Sequence, residues 1–170
     1  GVFQTENGEE SVMKPEFRFA ERKDCALILQ FIADLAEYEK MADQVVATPA
    51  MLEEEIFERK KAEVLFVLED GKEVGFALFF HNFSTFLGRA GLYLEDLFVK
   101  PEFRGKGYGK ATLKKLAQIA VERNCGRFEW WCLDWNRPSI DFYLSLGAEP
   151  MSEWTTYRVT GDALRKLAEE

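Results

Sequence analysis

The stretch from Leu92 to Val121 constrains this chain more than any other part of it. It reads as a strand, Leu92 to Val99, that ends at Pro101, because proline cannot donate to a sheet ladder. The turn Arg104-Gly105-Lys106-Gly107-Tyr108-Gly109-Lys110 follows. After it comes a helical stripe of Leu113, Leu116, Ala117, Ala120 and Val121, closed by Asn124-Cys125-Gly126. A glycine-rich turn between a strand and a helix is a place where anions bind. Glycine lets the backbone bend and approach a ligand closely, while unpaired amides and the positive end of the helix dipole point at phosphate oxygens. Arg104, Lys106 and Lys110 add charge. A Walker A loop would need Gly at 104 and Ser or Thr at 111, where the chain has Arg104 and Ala111. The dinucleotide pattern G-x-G-x-x-G meets Lys110 when started at Gly105 and Thr112 when started at Gly107, so it fails in both registers. The pattern R-x-x-G-x-G at Arg104, Gly107 and Gly109 does fit; the competing reading is a plain glycine-rich helix start.

The flanking segments supply the rest of an α/β domain. Alternation over Phe17 to Ala20 predicts a short strand, and Asp24 caps a helix with Leu27, Ile28, Phe31, Ile32 and Leu35 on one face. Thr48 and Pro49 open a second helix that turns Leu52, Ile56 and Phe57 inward. Val64 to Leu68, Asp70-Gly71 and Val74 to Phe80 form a hairpin, since Asp-Gly supplies the positive backbone angles of a tight turn. A linker holding His81, Ser84, Thr85 and Gly88 leads to the Leu92 strand. After the glycine-led helix come a strand, Phe128 to Leu133, and a helix from Pro138 to Gly147. A strand over Thr155 to Val159 and a helix over Asp162 to Ala168 complete the chain. This order predicts a mixed sheet.

With 170 residues the chain is sized for one domain. Residues 13–170 are expected to form it, and residues 1–12 read as a remnant or a frayed tail. The net charge is −8, and would be −5 without Glu6, Glu9 and Glu10. That disfavours phosphate-backbone attraction, so nucleic acid is not an expected partner. Apolar runs such as Leu65 to Leu68 fall far short of the roughly 20 residues of a membrane span. Cys25, Cys125 and Cys132 have neither disulfide nor zinc-knuckle spacing, and with no charged, apolar leader they point to a reducing cytoplasm. Lone His81 supports neither a Ser-His triad nor a histidine metal site.

The R-x-x-G-x-G turn after Leu94-Glu95-Asp96-Leu97-Phe98-Val99, together with the element order, resembles the GNAT acyl-CoA-dependent N-acetyltransferases from about Phe17 to Leu167. Leu35 to Lys40, Tyr93 to Asp96 and Trp135 to Tyr143 are similar to the spermidine/spermine acetyltransferase group. Glu39-Lys40, Ser84-Thr85, Gly88-Arg89 and Leu133 to Asn136 bring it nearer to the thialysine (diamine) branch. Phe86 stands where that branch has tryptophan, and one extra residue lies around Ala90-Gly91.

The resemblance implies a fold in which the central sheet opens in a V between the Leu92 and Phe128 strands, with helices on both faces and acetyl-CoA in the opening. Amides of Leu97, Phe98 and Val99 would meet the pantetheine arm, and Arg104, Gly105, Lys106, Gly107, Tyr108, Gly109 and Lys110 the pyrophosphate. Asn136 and Ser139 would also touch the coenzyme, although Asn136 equally suits a helix cap. No metal is implied. The acceptor, a small-molecule primary amine, would be held by Tyr38, Glu39, Ser84, Thr85, Phe86 and Asp96, with Asp43 nearby. An amine of pKa near 10.4 is protonated at neutral pH, so a base is needed, and Glu95 matches it. Alternation would turn Asp96 to the opposite sheet face; the alternative for the pair is cation pairing at a strand end. Tyr143 matches the proton donor to the departing thiolate, against a reading as core packing. Direct attack in a ternary complex, a homodimer and a cytoplasmic location complete what is implied. A polyamine or peptide amine is the rival acceptor, and a non-catalytic acetyl-CoA sensor the rival class.

Overall fold

The computed structural model describes residues 2–4, 10–12 and 14–169. The chain divides into two compact units, residues 1–131 and 132–170. In the first, β1 (Val2–Gln4) and β2 (Glu10–Val12) form an antiparallel pair. The tail expected over residues 1–12 therefore falls partly on paired strand and partly outside the described residues.

A five-stranded sheet has the order β3 (Glu16–Phe19), β4 (Glu63–Glu69), β5 (Lys72–Ser84), β6 (Arg89–Val99), β7 (Phe128–Trp130). All neighbours are antiparallel except β6 and β7, which run parallel, so the sheet is mixed as predicted. Asp70 and Gly71 close the β4–β5 hairpin with φ of 51° and 77°, the left-handed values a two-residue turn demands.

Helices cover both faces. On one, α1 (Cys25–Tyr38) and α2 (Pro49–Leu52, continuing as a π-helical turn over Glu53–Glu58) bring Ile28, Phe31 and Ile56 onto Val64, Phe66, Phe76 and Phe98. Val67, which alternates with Val64 and Phe66 along β4, faces the other way and packs with Val74, Val99 and Tyr108 of α3 (Tyr108–Glu122). The predicted caps divide. Thr48 Oγ1 accepts from Met51 N at 3.2 Å. Asp24 does not cap α1 with its side chain: Arg18 grips its carboxylate at 2.8 Å, and the Glu21 amide donates to it at 2.7 Å. That ion pair and hydrogen bond hold the Asp24 carboxyl below its ordinary pKa.

Three expectations are corrected here. His81 and Ser84 do not lie in a linker. β5 runs unbroken through Ser84, with the turn over residues 85–88, because Asn82 and Ser84 keep ladder partners in Gly91 and Arg89. Val121 is 78% exposed, while Ile119 joins Leu113, Leu116 and Ala120 on the buried stripe of α3. β7 stops at Trp130 rather than Leu133.

The second unit holds α4 (Arg137–Ser145) and α5 (Gly161–Glu169). Within this unit Thr155 to Val159 do not form the expected strand, and all five side chains are exposed. No helix among the described residues is long and apolar enough to cross a membrane.

Candidate active site

The glycine turn is open toward solvent. Gly105 and Gly107 both have φ of 79°, and a Cβ built on either, or on Gly109, meets nothing within 4 Å. Backbone sign, not crowding, therefore requires glycine at 105 and 107. The first bond of α3 runs from Ala111 N to Gly107 O at 3.0 Å, and helix geometry leaves the amides of Gly109 and Lys110 without intrahelical acceptors. Amides of a helix start beside an open bend fit a phosphate group.

The side chains of this turn mostly do something other than the sequence suggested. Lys106 Nζ lies 2.7 Å from Glu69 Oε1, which also accepts the Tyr108 hydroxyl at 2.6 Å. Tyr108 is buried; that burial and Glu69 push its phenol up to about 12. These two residues clamp the turn onto the end of β4, so any ligand contact from them falls to the backbone. Arg104 is likewise engaged. Its Nε donates to Val99 O at 2.8 Å, and its guanidinium lies 4.3 Å over the Tyr38 ring and 5.2 Å over Phe98. Lys110 is exposed.

β6 opens beside this turn. It pairs with β7 only at Leu92, Tyr93 and Leu94, then continues alone on that side to Val99. Leu92 N donates to Arg127 O at 3.0 Å, toward β7. Opposite β5 the register slips: Phe79 faces Leu94 and Leu78 faces Asp96, which leaves Glu95 as the extra residue of a β-bulge. With one residue inserted, the direction set by Leu92 and Leu94 passes to Leu97 and Val99, whose backbone groups face the free edge. Phe98 points its amide at β5 and its side chain into the core, which removes it from the expected coenzyme contacts.

The bulge also corrects the face assignment of the carboxylates. Simple alternation would separate Glu95 from Asp96. The inserted residue breaks that alternation at Glu95, and the charges of Glu95 and of Glu39, which follows α1, both bear on Asp96. Burial first, and then these two anions, push the Asp96 carboxyl up to about 6. Among the described residues no ion pair to Glu95 or Asp96 is found, and the charges that bear on Asp96 are both anions. Tyr38, 64% exposed, sets its ring 6.4 Å from Phe98, the next residue on the Asp96 face. The structure thus gathers Tyr38, Glu39, Glu95 and Asp96.

Ser84, Thr85 and Phe86 are not gathered there. Ser84 lies six residues beyond Leu78 on β5, about 20 Å from the Asp96 position at 3.3 Å per residue. It is buried and accepts from Leu87 N at 3.2 Å, while Phe86 is fully exposed in the hairpin turn. The correction follows from the unbroken β5, which carries these residues away from the bulge.

In the second unit Asn136 caps α4, its Oδ1 accepting from Ser139 N at 3.3 Å. The cap leaves the amide nitrogen of Asn136 and one lone pair of its Oδ1 for other partners. Burial and the neighbouring Cys132 raise the Tyr143 phenol above its ordinary pKa, partly offset by a hydrogen bond with Ser139. The thiols of Cys25 and Cys132 are raised, mainly by burial, as expected for inert cysteines rather than nucleophiles. Among the described residues no group of His, Cys, Asp and Glu is placed to hold a metal ion.

Sequence reasoning missed Glu69, whose partners lie on another element, and Gly75, where a Cβ would stand 2.6 Å from Phe98 O. Neither carries a local motif.

The comparisons with known proteins agree with this geometry. Residues 29–148 match the model of the acetyltransferase (GNAT) family. The chain is 39% identical over 163 residues to Thialysine N-epsilon-acetyltransferase of Sus scrofa, covering 89% of this chain and 95% of that protein. It is 44% identical over 100 residues to L-ornithine N5-acetyltransferase NATA1 of Arabidopsis thaliana, covering 59% of this chain and 44% of that one. Among solved structures, the integron cassette protein VCH_CASS6 from the mobile metagenome of V. cholerae superposes with a TM-score of 0.78 at 31% identity, over 93% of this chain and 99% of that chain. A strand with a free edge, a bulge carrying acids and an open glycine turn thus coincide with matches over most of the length, and the chain belongs to the acetyltransferase (GNAT) family of acetyl-CoA-dependent N-acetyltransferases.

Proposed function

We propose that this protein moves acetyl from acetyl-CoA to a primary amine of a small molecule, of the thialysine, lysine-like or diamine type, by direct attack in a ternary complex. The observation that carries the reading is the Glu95 bulge. It falls where β6 leaves β7, and the charges of Glu95 and Glu39 both bear on Asp96 there, which supports the reading. Three carboxylates there favour a cationic acceptor, and the names of the thialysine and ornithine relatives point the same way.

The coenzyme, when bound, supplies an acyl group as a thioester. Leu97 and Val99 offer main-chain groups to its pantetheine arm, and the amides from Gly105 to Lys110 hold its pyrophosphate. Asn136, through its amide nitrogen, and Ser139 add polar contacts. Tyr38, Glu39 and Asp96 hold the ammonium. Glu95 takes its proton, directly or through one water, because an ammonium has no lone pair to attack with. Tyr143 donates a hydrogen bond toward the departing sulfur. Its raised pKa makes full proton transfer to a thiolate uphill by more than the roughly 2 kcal/mol of ordinary values, so orientation and charge stabilisation are its part. Residues 13–170 act as one catalytic domain in the cytoplasm, where the free thiols are stable.

The protein works as a homodimer, in which Ser84, Thr85 and Phe86 at the hairpin end serve the partner's acceptor site rather than their own. Their distance from Asp96 along β5 supports this.

The test is release of free thiol from acetyl-CoA against a panel of thialysine, lysine, ornithine, diamines and spermidine. Release that depends on a small amine is expected. Saturable coenzyme binding without it would favour a sensor, and spermidine outcompeting thialysine would favour the polyamine reading.

A further inference from the structure

The sheet face that carries Asp96 also carries Phe80 and Tyr93, with Trp131, just past β7, against Tyr93: three aromatic rings with no role in the reaction described so far. Phe80 and Tyr93 are ladder partners with ring centroids 5.0 Å apart, and Trp131 stands edge-on to Tyr93 at 6.1 Å and 87°. The register fixes the face. On β5, Leu78 lies opposite Asp96 and Phe80 opposite Tyr93, so the two positions share a side, and the bulge accounts for the odd spacing on β6. From the carboxylates the row continues in one direction to Phe98 and Tyr38, and in the other to Phe80, Tyr93 and Trp131. Trp131 is 61% exposed, and Phe80 and Tyr93 are half-buried. A row of rings left partly open beside an acidic cluster is a surface on which an amphipathic cation can lie.

We propose that Phe80, Tyr93 and Trp131 form the wall against which the carbon chain of the amine acceptor rests, and that these rings set its preferred length. The proposal builds on the reading of an amine acceptor at Glu95 and Asp96. The methylenes of such an acceptor lie on apolar surface as a lysine stem does, while the reacting nitrogen stays at the carboxylates. A second ammonium at the far end gains a ring face. Two residues of β5 separate the Asp96 position from the Phe80–Tyr93 pair, about 7 Å. An acceptor of one or two carbons ends short of the rings; one of four or more reaches them.

The test uses the full chain, acetyl-CoA and unbranched α,ω-diamines from two to eight carbons, read as kcat/KM for thiol release. With the unsubstituted protein, kcat/KM is expected to climb about tenfold between two and five carbons. Trp131→Ala should flatten that climb to about threefold or less, and Trp131→Phe should restore most of it. Should Trp131→Ala fail to fold, Phe80→Leu, which keeps apolar volume and removes the ring, reads the same ratio. A flat profile in the unsubstituted protein, or an unchanged profile in a folded ring-deleted variant, overturns the wall while leaving amine acetylation standing. Absence of thiol release with every amine, in a protein that still binds acetyl-CoA, overturns the amine-acceptor reading and the wall with it.

Discussion

Asp96 is the residue whose environment departs furthest from what its sequence position suggested. Alternation alone places it away from Glu95; the bulge interrupts that alternation, and only the cross-strand register reveals it. With its carboxyl near 6, Asp96 is neutral below that pH and anionic above it. Its contribution to holding an ammonium should therefore appear as pH rises through about 6, ahead of the further rise that comes from deprotonating the amine itself. We expect Asp96→Asn to erase the inflection near 6 in the kcat/KM profile and leave the upper rise in place. The stability effect has the opposite sign. A carboxyl that holds its proton longer when folded loses stability as pH climbs from 3.8 toward 6, and the full penalty persists above. Asp96→Asn should thus raise stability at pH 7.5 by on the order of 2 kcal/mol after screening and change it little near pH 3, as urea unfolding at the two pH values would reveal. Tyr143, raised above its ordinary value, stays protonated across the working range. Tyr143→Phe is expected to cut kcat about 10- to 100-fold with little change in KM for the amine; a fall smaller than threefold would return Tyr143 to core packing. The block from Asn136 to Tyr143 was legible as a motif. The environment that makes its tyrosine a poor acid was not.

At the level of elements, local chemistry was the readable part. The Asp70-Gly71 turn, the Thr48-Pro49 helix start and the glycine turn before α3 each follow from residues that are neighbours in sequence. What escaped were consequences of pairing. β5 continues past His81 because Asn82 and Ser84 have partners on β6, and no local signal in Thr155 to Val159 revealed that they stay irregular within their unit. Glycines separate the two kinds of constraint. Gly107→Ala meets open space and bears only the left-handed backbone, so a loss of about 1–2 kcal/mol is expected, with weaker coenzyme binding. Gly75→Ala drives a Cβ to 2.6 Å from a main-chain oxygen on the adjacent strand, which cannot swing aside. Thermal unfolding should show a loss of about 3 kcal/mol or more there, with coenzyme affinity in whatever protein folds nearly unchanged. Equal effects at the two positions would contradict the geometry.

For the whole molecule, the order of strands and helices was legible because hydrophobic period changes at each boundary, and the mixed sheet follows from it. The grouping of the acceptor residues was not. Tyr38, Glu39, Glu95 and Asp96 assemble within one unit, whereas Ser84, Thr85 and Phe86 sit at the far end of the same hairpin. If the hairpin end serves a second subunit, light scattering should give about twice the 19.6 kDa chain mass. Mixing an Asp96→Asn protein with a Phe86→Ala protein should then yield heterodimers holding one intact site, and so more activity than either parent alone. A monomer at micromolar concentration with full activity would dismiss that arrangement. Arg104 links the glycine turn to the Tyr38 side of the sheet: one guanidinium is tied to the last carbonyl of β6, leads into the glycine turn and covers the Tyr38 ring. If coenzyme and amine dock on either side of that bracket as proposed, a coupling between them is expected, and a coenzyme affinity unchanged by saturating amine would dismiss it. Whatever factor one adds to the other's grip is returned in equal measure, so tightening of the amine by the nucleotide and of the nucleotide by the amine would be a single thermodynamic quantity, measurable from both ends.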